Sequence, residues 1–482
     1  MSSRQDTLPD SPQSTDAPRL EPGSFRDPDS RVFYSSDGVL RALSEEGLVD
    51  WNALASSSLF SEAVAEGKLV GTELVQDSVP LPKGFGERPA AVLRHEVVPF
   101  VSYPYEWPFG MLREAAIVQL ELLRRALREN LILKDSSPYN VQWRGSKPVF
   151  IDVGSFERLR DGEPWAGYRQ FCMLYLYPLL LQAYKNVPFQ PWLRGSIGGI
   201  SPQQCRSLMS ARDLLRRGVL AHVYLHSKLE NRYADAGRDI KRELRAAGFH
   251  KEMIVANVKR LERLLKRLDW RPPRSAWSQY GPTTNYTAAD TERKAQFVRE
   301  IARSTRWGLV WDLGCNDGRY SRIAAEAARY VVAIDADTAV VENLYRSLKD
   351  EGSAKILPLV MDVADPSPPL GWKGLERRTL AERGTPDLTL CLALVHHTVI
   401  TANIPVADFI GWLRALGAAL VIEFPTRDDP RVQRLLAAKK PGSHPDYDRE
   451  WFERCLSERF EVERSEVLSS GTRMLYFARP RL

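Results

Sequence analysis

Between Leu309 and Glu423 the sequence alternates short β-type runs with helical stretches, and nothing else in the chain constrains its fold as strongly. The runs are Leu309–Asp312, Val331–Asp335, Ile356–Val360, Leu388–Leu392 and Ala419–Glu423. Strands separated by helices pair in parallel, so the expected architecture is α/β, a doubly wound sheet. The closing stretch, "FEVERSEVLSSGTRMLYFARP", reads as a β-hairpin at the edge of that sheet.

Upstream the text is different. Residues 1–30 are rich in Ser, Pro and Asp and lack an apolar run, which predicts a disordered tail without a targeting signal. Residues 31–108 mix short apolar runs with turns, as in a small strand-containing lobe. Leu112, Ala115, Ala116, Leu120, Leu123 and Leu127 then recur at helical spacing and predict an amphipathic helix over 111–129. Two β-type runs, "NVQW" and "PVFID", flank the turn "RGSK". Mostly helical text follows to residue 270, ending in "WRPPRSAW", where proline stops the last helix. The expected domains are therefore 31–270 and 285–482, joined by a linker at 271–284. At 482 residues the chain is long enough for two domains of about 100–200 residues or more.

Composition excludes several classes. The net charge of +6 is mild for this length and points to no nucleic-acid partner. The longest apolar run, Phe171 to Tyr184, is broken by Pro178 and falls short of the ~20 residues of a membrane span. The 5 cysteines are scattered, without CxxC spacing, which argues for reduced thiols in the cytoplasm and gives no thiolate metal site.

Two stretches carry chemistry. In "LVWDLGCNDGRYS" a strand ends at Asp312 and a helix starts near Gly318, with small residues between that let a backbone approach a ligand. The spacing of Asp312, Gly314, Asn316 and Gly318 is not the dinucleotide G-x-G-x-x-G. It resembles the first motif of class I S-adenosylmethionine-dependent methyltransferases. Asn316 replaces a common glycine there and tolerates left-handed backbone. The resemblance implies a Rossmann-like methyltransferase sheet and S-adenosyl-L-methionine as cofactor. It places Asp335 on the ribose hydroxyls, Asp362 and Val363 at the adenine, and Tyr286 and Lys294 near the methionine end. It also puts the acceptor by "LALVHH". His396, His397 and Glu423, at the ends of the fourth and fifth strands, are the candidates for a catalytic base. The insertion Pro425–Tyr447 offers Arg427, His444 and Tyr447 as acceptor contacts.

The second stretch is "LKDSSPYNVQWRGSKPVFIDVGSF". Asp135 and Asn140 have the D-x-x-x-x-N spacing of a kinase catalytic loop, and Asp152 in "DVG" resembles the kinase D-F-G. Residues 31–270 thus resemble an α+β protein-kinase-like or aminoglycoside-phosphotransferase-like domain, with Mg2+ and ATP at the Asp135, Asn140, Asp152 cleft if it is active. No glycine-rich phosphate loop accompanies them, and only Lys68 and Arg94 stand in for the usual lysine. The expected role is therefore that of a pseudokinase, which holds substrate or regulates. Taken together, "VPFVSYPYEWPFGML", "LKDSSPYNVQ", "PVFIDVGSFE", "DLGCNDG" and "LALVHH" resemble a bacterial family of class I methyltransferases that includes rhizobial nodulation proteins akin to NoeA. The expected activity is methyl transfer to a small molecule or glycan. The alternatives are a bifunctional kinase and methyltransferase, or an RNA or protein methyltransferase using the basic helix Lys251–Arg267.

Overall fold

Strand β10 (Leu309–Leu313) is buried at every position, the signature of a parallel strand covered on both faces. It is the centre of a seven-stranded sheet in a computed structural model that describes residues 17–83, 85–86, 88–160, 162–228, 250–272 and 287–481. The strands flanking it are β11 (Tyr330–Asp335), β12 (Ile356–Val360), β13 (Leu388–Cys391), β14 (Ala419–Pro425), β15 (Phe460–Val467) and β16 (Arg473–Pro480). Their order is β12-β11-β10-β13-β14-β16-β15. The first five pair in parallel, and β16 runs antiparallel to both β14 and β15. The terminal hairpin therefore inserts its second strand beside β14 and leaves β15 at the edge. This is a doubly wound order, with the strand reversal between β10 and β13 that opens a crevice at the carboxyl edge.

Alternate residues of each strand serve different cores. Val310, Val331, Ala333, Leu390 and Val421 meet Phe297, Val298, Ile323, Leu344 and Leu348, from the helices Ala288–Ser304, Arg319–Ala325 and Thr338–Asp350. Trp311, Leu313, Val332, Ile334, Leu357 and Leu359 face the other way and join one core with Phe100, Trp107 and Trp143 of the N-terminal region. Between β12 and β13 the chain makes only short 3-10 turns, Trp372–Gly374 and Ala381–Arg383, where a crossover would ordinarily carry a helix. The N-terminal region fills that vacated layer. Phe100 meets Trp311 edge-on with centroids 6.2 Å apart, and Trp143 meets Tyr345 at 5.8 Å. The Tyr330 hydroxyl accepts from Gly145 N at 2.9 Å. The two expected domains thus share an apolar core. The expected linker falls largely on 273–284, outside the described residues.

The N-terminal region has its own antiparallel sheet, β1-β2-β3-β5-β4. Its strands are β1 (Arg19–Leu20), β2 (Ser30–Ser35), β3 (Gly38–Leu43), β4 (Thr72–Leu74) and β5 (Ala91–His95). Helices α1 (Glu45–Ala55) and α2 (Ser58–Ala65) lie between β3 and β4 and are capped by Ser44 and Ser57. Helix α3 (Phe109–Arg128) buries the apolar stripe read from its periodicity. A hairpin of β7 (Val141–Arg144) and β8 (Lys147–Phe150) follows. The helix Lys251–Arg267 packs Val258, Leu261 and Leu265 into the core, and Glu262 pairs with Arg124 of α3 at 3.0 Å.

One boundary is corrected. The tail expected over residues 1–30 ends sooner, because β1 pairs with β2 and Arg26 grips Glu376 at 2.6 Å. A short polar segment ordered by distant charge partners leaves no periodic trace in sequence. No described helix is long and apolar enough to cross a membrane.

Candidate functional site

The turn after β10 needs left-handed backbone three times, at Gly314 (φ 76°), Asn316 (φ 48°) and Gly318 (φ 77°), positions that glycine and asparagine tolerate. Gly314 N and Cys315 N both donate to Ile334 O, at 2.8 and 2.9 Å, tying the turn to β11. A Cβ on Gly318 would lie 2.5 Å from Leu344 Cδ1, so this glycine also answers to packing. On Gly314 the nearest atom would be Leu394 Cδ1, at 3.4 Å, an ordinary contact distance.

Asp335, at the end of β11, is fixed by backbone amides: Oδ2 accepts from Asn316 N at 3.0 Å and Oδ1 from Asp337 N at 2.9 Å. Burial raises its pKa, against the pull of these bonds. The Ala336 amide bonds the same carboxylate, which still leaves it lone-pair capacity for a ligand hydroxyl. Asp362, just past β12, is exposed, and its Oδ1 accepts from Ala364 N at 2.8 Å, while Val363 packs against the core. These residues gather at the carboxyl ends of three adjacent parallel strands. Asp312 lies beneath them. It is buried, accepts from Ser321 Oγ at 2.5 Å, and burial pushes its pKa up to about 6 against that bond. It braces the helix start from below, so the contact expected of it is indirect. Tyr286 lies outside the described residues.

Lys294 and Glu423 correct the sequence reading. Lys294 is 2% exposed, with Nζ 2.5 Å from Glu423 Oε2 and 4.7 Å from the centre of the Tyr320 ring. Glu423 Oε1 takes Arg473 Nη1 at 2.9 Å, and Arg473 Nε reaches Asp429 at 2.8 Å. Lysine, glutamate, arginine and aspartate thus alternate in one buried chain. With a cation on each oxygen, Glu423 would have to break an ion pair to act as a base. Arg473 and Asp429 escaped the sequence reading because their pairing joins β16 to a helix N-cap 44 residues away.

His396 and His397 follow β13, where Ala393 (φ 53°) turns the chain. Their rings are 4.1 Å apart. His396 is fully buried, and neither ring nitrogen has a hydrogen-bond partner among the described residues. Burial, then His397, Arg473 and Arg431, hold its pKa well below the usual range. His397 is half-buried, and burial with Arg431 and Arg473 lowers its pKa to about 4. Both rings are neutral near pH 7, and only His397 reaches the surface. The insertion closes on itself: Arg427 donates to His444 O and Tyr447 O at 2.8 and 3.0 Å, and Tyr447 stacks on Phe424. Arg427 and Tyr447 are engaged internally, away from the role expected of them as acceptor contacts, whereas His444 is held through its backbone carbonyl.

In the N-terminal region Asn140 Nδ2 donates to Ser155 Oγ at 3.2 Å, and Ser155 Oγ donates to Asp152 at 2.5 Å. Asp135 is exposed. The surrounding protein and then the charge of Asp152 raise its pKa. The cation that reaches this group is Arg41 of β3, 2.9 Å from Asp152 Oδ1. Lys68 pairs instead with Glu66 and Glu121, and Arg94 with Glu73. Arg41 Nε donates to His95 Nε2 at 3.2 Å, and Thr72 Oγ1 meets His95 Nδ1 at 2.9 Å. Burial, then Arg41, lowers the His95 pKa to about 3. Arg41 was legible only as an arginine inside the apolar strand "GVLRAL". Among the described residues no group of three or more His, Cys, Asp or Glu is placed to hold a metal.

No family model matches the chain. Several solved structures resemble it in part. The N-methyltransferase NodS from Bradyrhizobium japonicum WM9 is 11% identical, covering 40% of this chain and 98% of that one, at a TM-score of 0.31. The magnesium protoporphyrin IX methyltransferase ChlM from Synechocystis PCC 6803, with bound SAH, is 17% identical, covering 42% and 93%, at 0.29. Likenesses at such scores carry no weight of their own. The nodulation protein NoeA of Rhizobium meliloti (strain 1021) is 32% identical over 457 residues, covering 94% of this chain and 94% of that protein. With a match of that depth along almost its whole length, the chain belongs to the family of nodulation protein NoeA.

Proposed function

We propose that the protein transfers a methyl group from S-adenosylmethionine to a small-molecule or glycan acceptor. The observation that carries this reading is the carboxyl edge of β10, β11 and β12. A thrice left-handed turn lies there beside the fixed carboxylate of Asp335, with Asp362 and Val363 at the next strand end. These residues fit the cofactor: the turn admits its methionine portion, Asp335 takes the ribose hydroxyls, and Val363 offers an apolar wall to the adenine. When bound, the cofactor supplies an electrophilic sulfonium methyl, so the protein mainly has to align the acceptor in line with it. His397, neutral and half-buried in the strand-four loop, receives the acceptor's proton where one must leave. A pKa near 4 makes it a weak base, which suits an amine or an already acidic hydroxyl better than an alcohol. Lys294, Glu423 and Arg473 hold the floor of the site. The buried free cysteines fit a cytoplasmic setting.

In this reading the N-terminal region is a non-phosphorylating support. Arg41 already neutralises Asp152. A second reading, a phosphotransferase that binds Mg2+ and ATP, is favoured by one observation: a first-lobe cation does reach the group of Asp135, Asn140 and Asp152. Calorimetric titration with S-adenosylhomocysteine and with Mg-ATP separates the two. The proposal expects heat from the first ligand alone. Absence of S-adenosylhomocysteine binding would refute it, and saturable Mg-ATP binding would establish the second reading.

A further inference from the structure

The stretch between β12 and β13, which begins with Asp362 and Val363, is held by residues of the N-terminal region. Arg194 embraces Asp365 with two bonds, Nη1 to Oδ2 at 2.9 Å and Nη2 to Oδ1 at 2.8 Å, and Nη2 reaches Pro366 O at 3.2 Å. Ser367 Oγ donates to Glu106 Oε1. Arg383 clasps the same carboxylate, Nη2 to Oε1 at 2.5 Å and Nη1 to Oε2 at 2.8 Å, with both side chains 1% exposed. Tyr103 N also donates to Glu106 at 2.8 Å, so every lone-pair direction of this buried acid is used along the domain seam. Further on, the Tyr103 hydroxyl accepts from Arg378 N at 2.8 Å, and the Arg377 guanidinium lies 3.7 Å over the Tyr139 ring.

A segment this long without a helix is normally mobile unless something outside it supplies contacts. Here the anchors sit only a few residues from the two positions that face the adenine. Asp365 N donates to Asp362 O at 3.0 Å, so the residue gripped by Arg194 closes the turn that Asp362 opens. We propose that Glu106 and Arg194, from the N-terminal region, are positioning residues for the cofactor: through Ser367, Arg383 and Asp365 they hold Asp362 and Val363 in place beyond β12. This inference rests on the cofactor placement given above. The N-terminal region then works as part of the cofactor site, whatever becomes of its own cleft. If loosening the anchors leaves the segment ordered a tenth of the time, the apparent dissociation constant rises about tenfold.

The test is calorimetric titration of the full chain with S-adenosylhomocysteine, paired with melting curves. Glu106→Gln is expected to weaken binding about tenfold. Arg194→Asp, at the more exposed anchor, should weaken it several-fold and leave melting nearly unchanged. The swapped pair Arg194→Asp with Asp365→Arg should recover most of the loss. Tyr330→Phe is the control: it breaks the bond to Gly145 at the far end of the same seam, and should lower the melting temperature without changing affinity. Wild-type affinity in Arg194→Asp, or an equal loss in Tyr330→Phe, would overturn the inference. Should Glu106→Gln fail to fold, the Arg194 series decides alone. No binding by the unaltered chain would instead refute the cofactor reading itself.

Discussion

Two parts of this molecule gather carboxylates around a turn, and they handle charge in opposite ways. At the carboxyl edge of the large sheet, Asp335 and Asp362 accept hydrogen bonds from backbone amides, and the buried cations Lys294 and Arg473 are paired with Glu423 and Asp429. The acids that face the crevice therefore keep lone pairs for a ligand. In the N-terminal cleft the cation has moved onto the acid itself, with Arg41 on Asp152 and Ser155 on the other oxygen. A carboxylate whose charge is already neutralised by an arginine has less to offer a phosphate-bound metal. Similar residue types thus give a receptive edge in one place and a self-compensated cleft in the other. The two regions are nonetheless bonded together, because Tyr139 next to Asn140 stacks with Arg377, and Arg26 next to Asp27 pairs with Glu376.

The largest effect is expected where the regions meet. Arg383→Ala leaves Glu106 buried with its charge uncompensated, which should cost about 3–5 kcal/mol of stability by denaturant titration. A loss under about 1 kcal/mol would mean the seam is no structural wall and that the two regions are separable. Next, Asp335→Ala should weaken S-adenosylhomocysteine binding by about 2–3 kcal/mol, since bonds to a charged acceptor are worth about 1.5–3 each. Unchanged affinity in a folded variant would erase the contrast from the receptive side.

Asp152→Asn tests the other side. It removes the Arg41 ion pair, so a modest fall in melting temperature is expected while methyl transfer stays within about twofold of the unaltered chain, no phosphate chemistry being at stake. A collapse of methyl transfer without loss of fold would show that the cleft participates. The smallest effect is on pH dependence. His95 and His222 have folded-state pKa values lowered to about 3 and about 4, in each case first by burial. The unfolded chain takes up protons below about 6.5 that these rings refuse, so their contribution falls as pH drops. Each should cost roughly 0.5–1 kcal/mol between pH 7 and 6. Asp312 opposes this: its pKa is raised to about 6, so its contribution is lost as pH rises through that value. His222→Gln should flatten the acid limb of a stability curve, and an unaltered limb would contradict the burial of that ring.

Much of the sheet could be read in the sequence because local patterns carry it. The run Ile356–Val360 coincides with β12, and Asn316 adopts the left-handed turn its side chain tolerates. What escaped is what depends on distant partners. Arg41 reaches Asp152 across more than a hundred residues, and Glu423 looked available until Lys294 and Arg473 converged on it. The ordered segment from Arg19 to Asp29 likewise depends on Glu376 and Arg378, and the shared core has no counterpart in any single stretch. Periodicity reports which face is buried but not against what.

The most direct measurement is a crystal structure of the full chain with S-adenosylhomocysteine. The expected result is the ligand at the carboxyl edge of β10 and β11. Its ribose hydroxyls should lie within hydrogen-bond distance of Asp335, its methionine portion over Gly314, and its adenine between Val363 and the Asp362 turn. Density for the ligand at any other place, such as the cleft between Arg41 and Asp135, with an empty edge beside Asp335, would contradict the account.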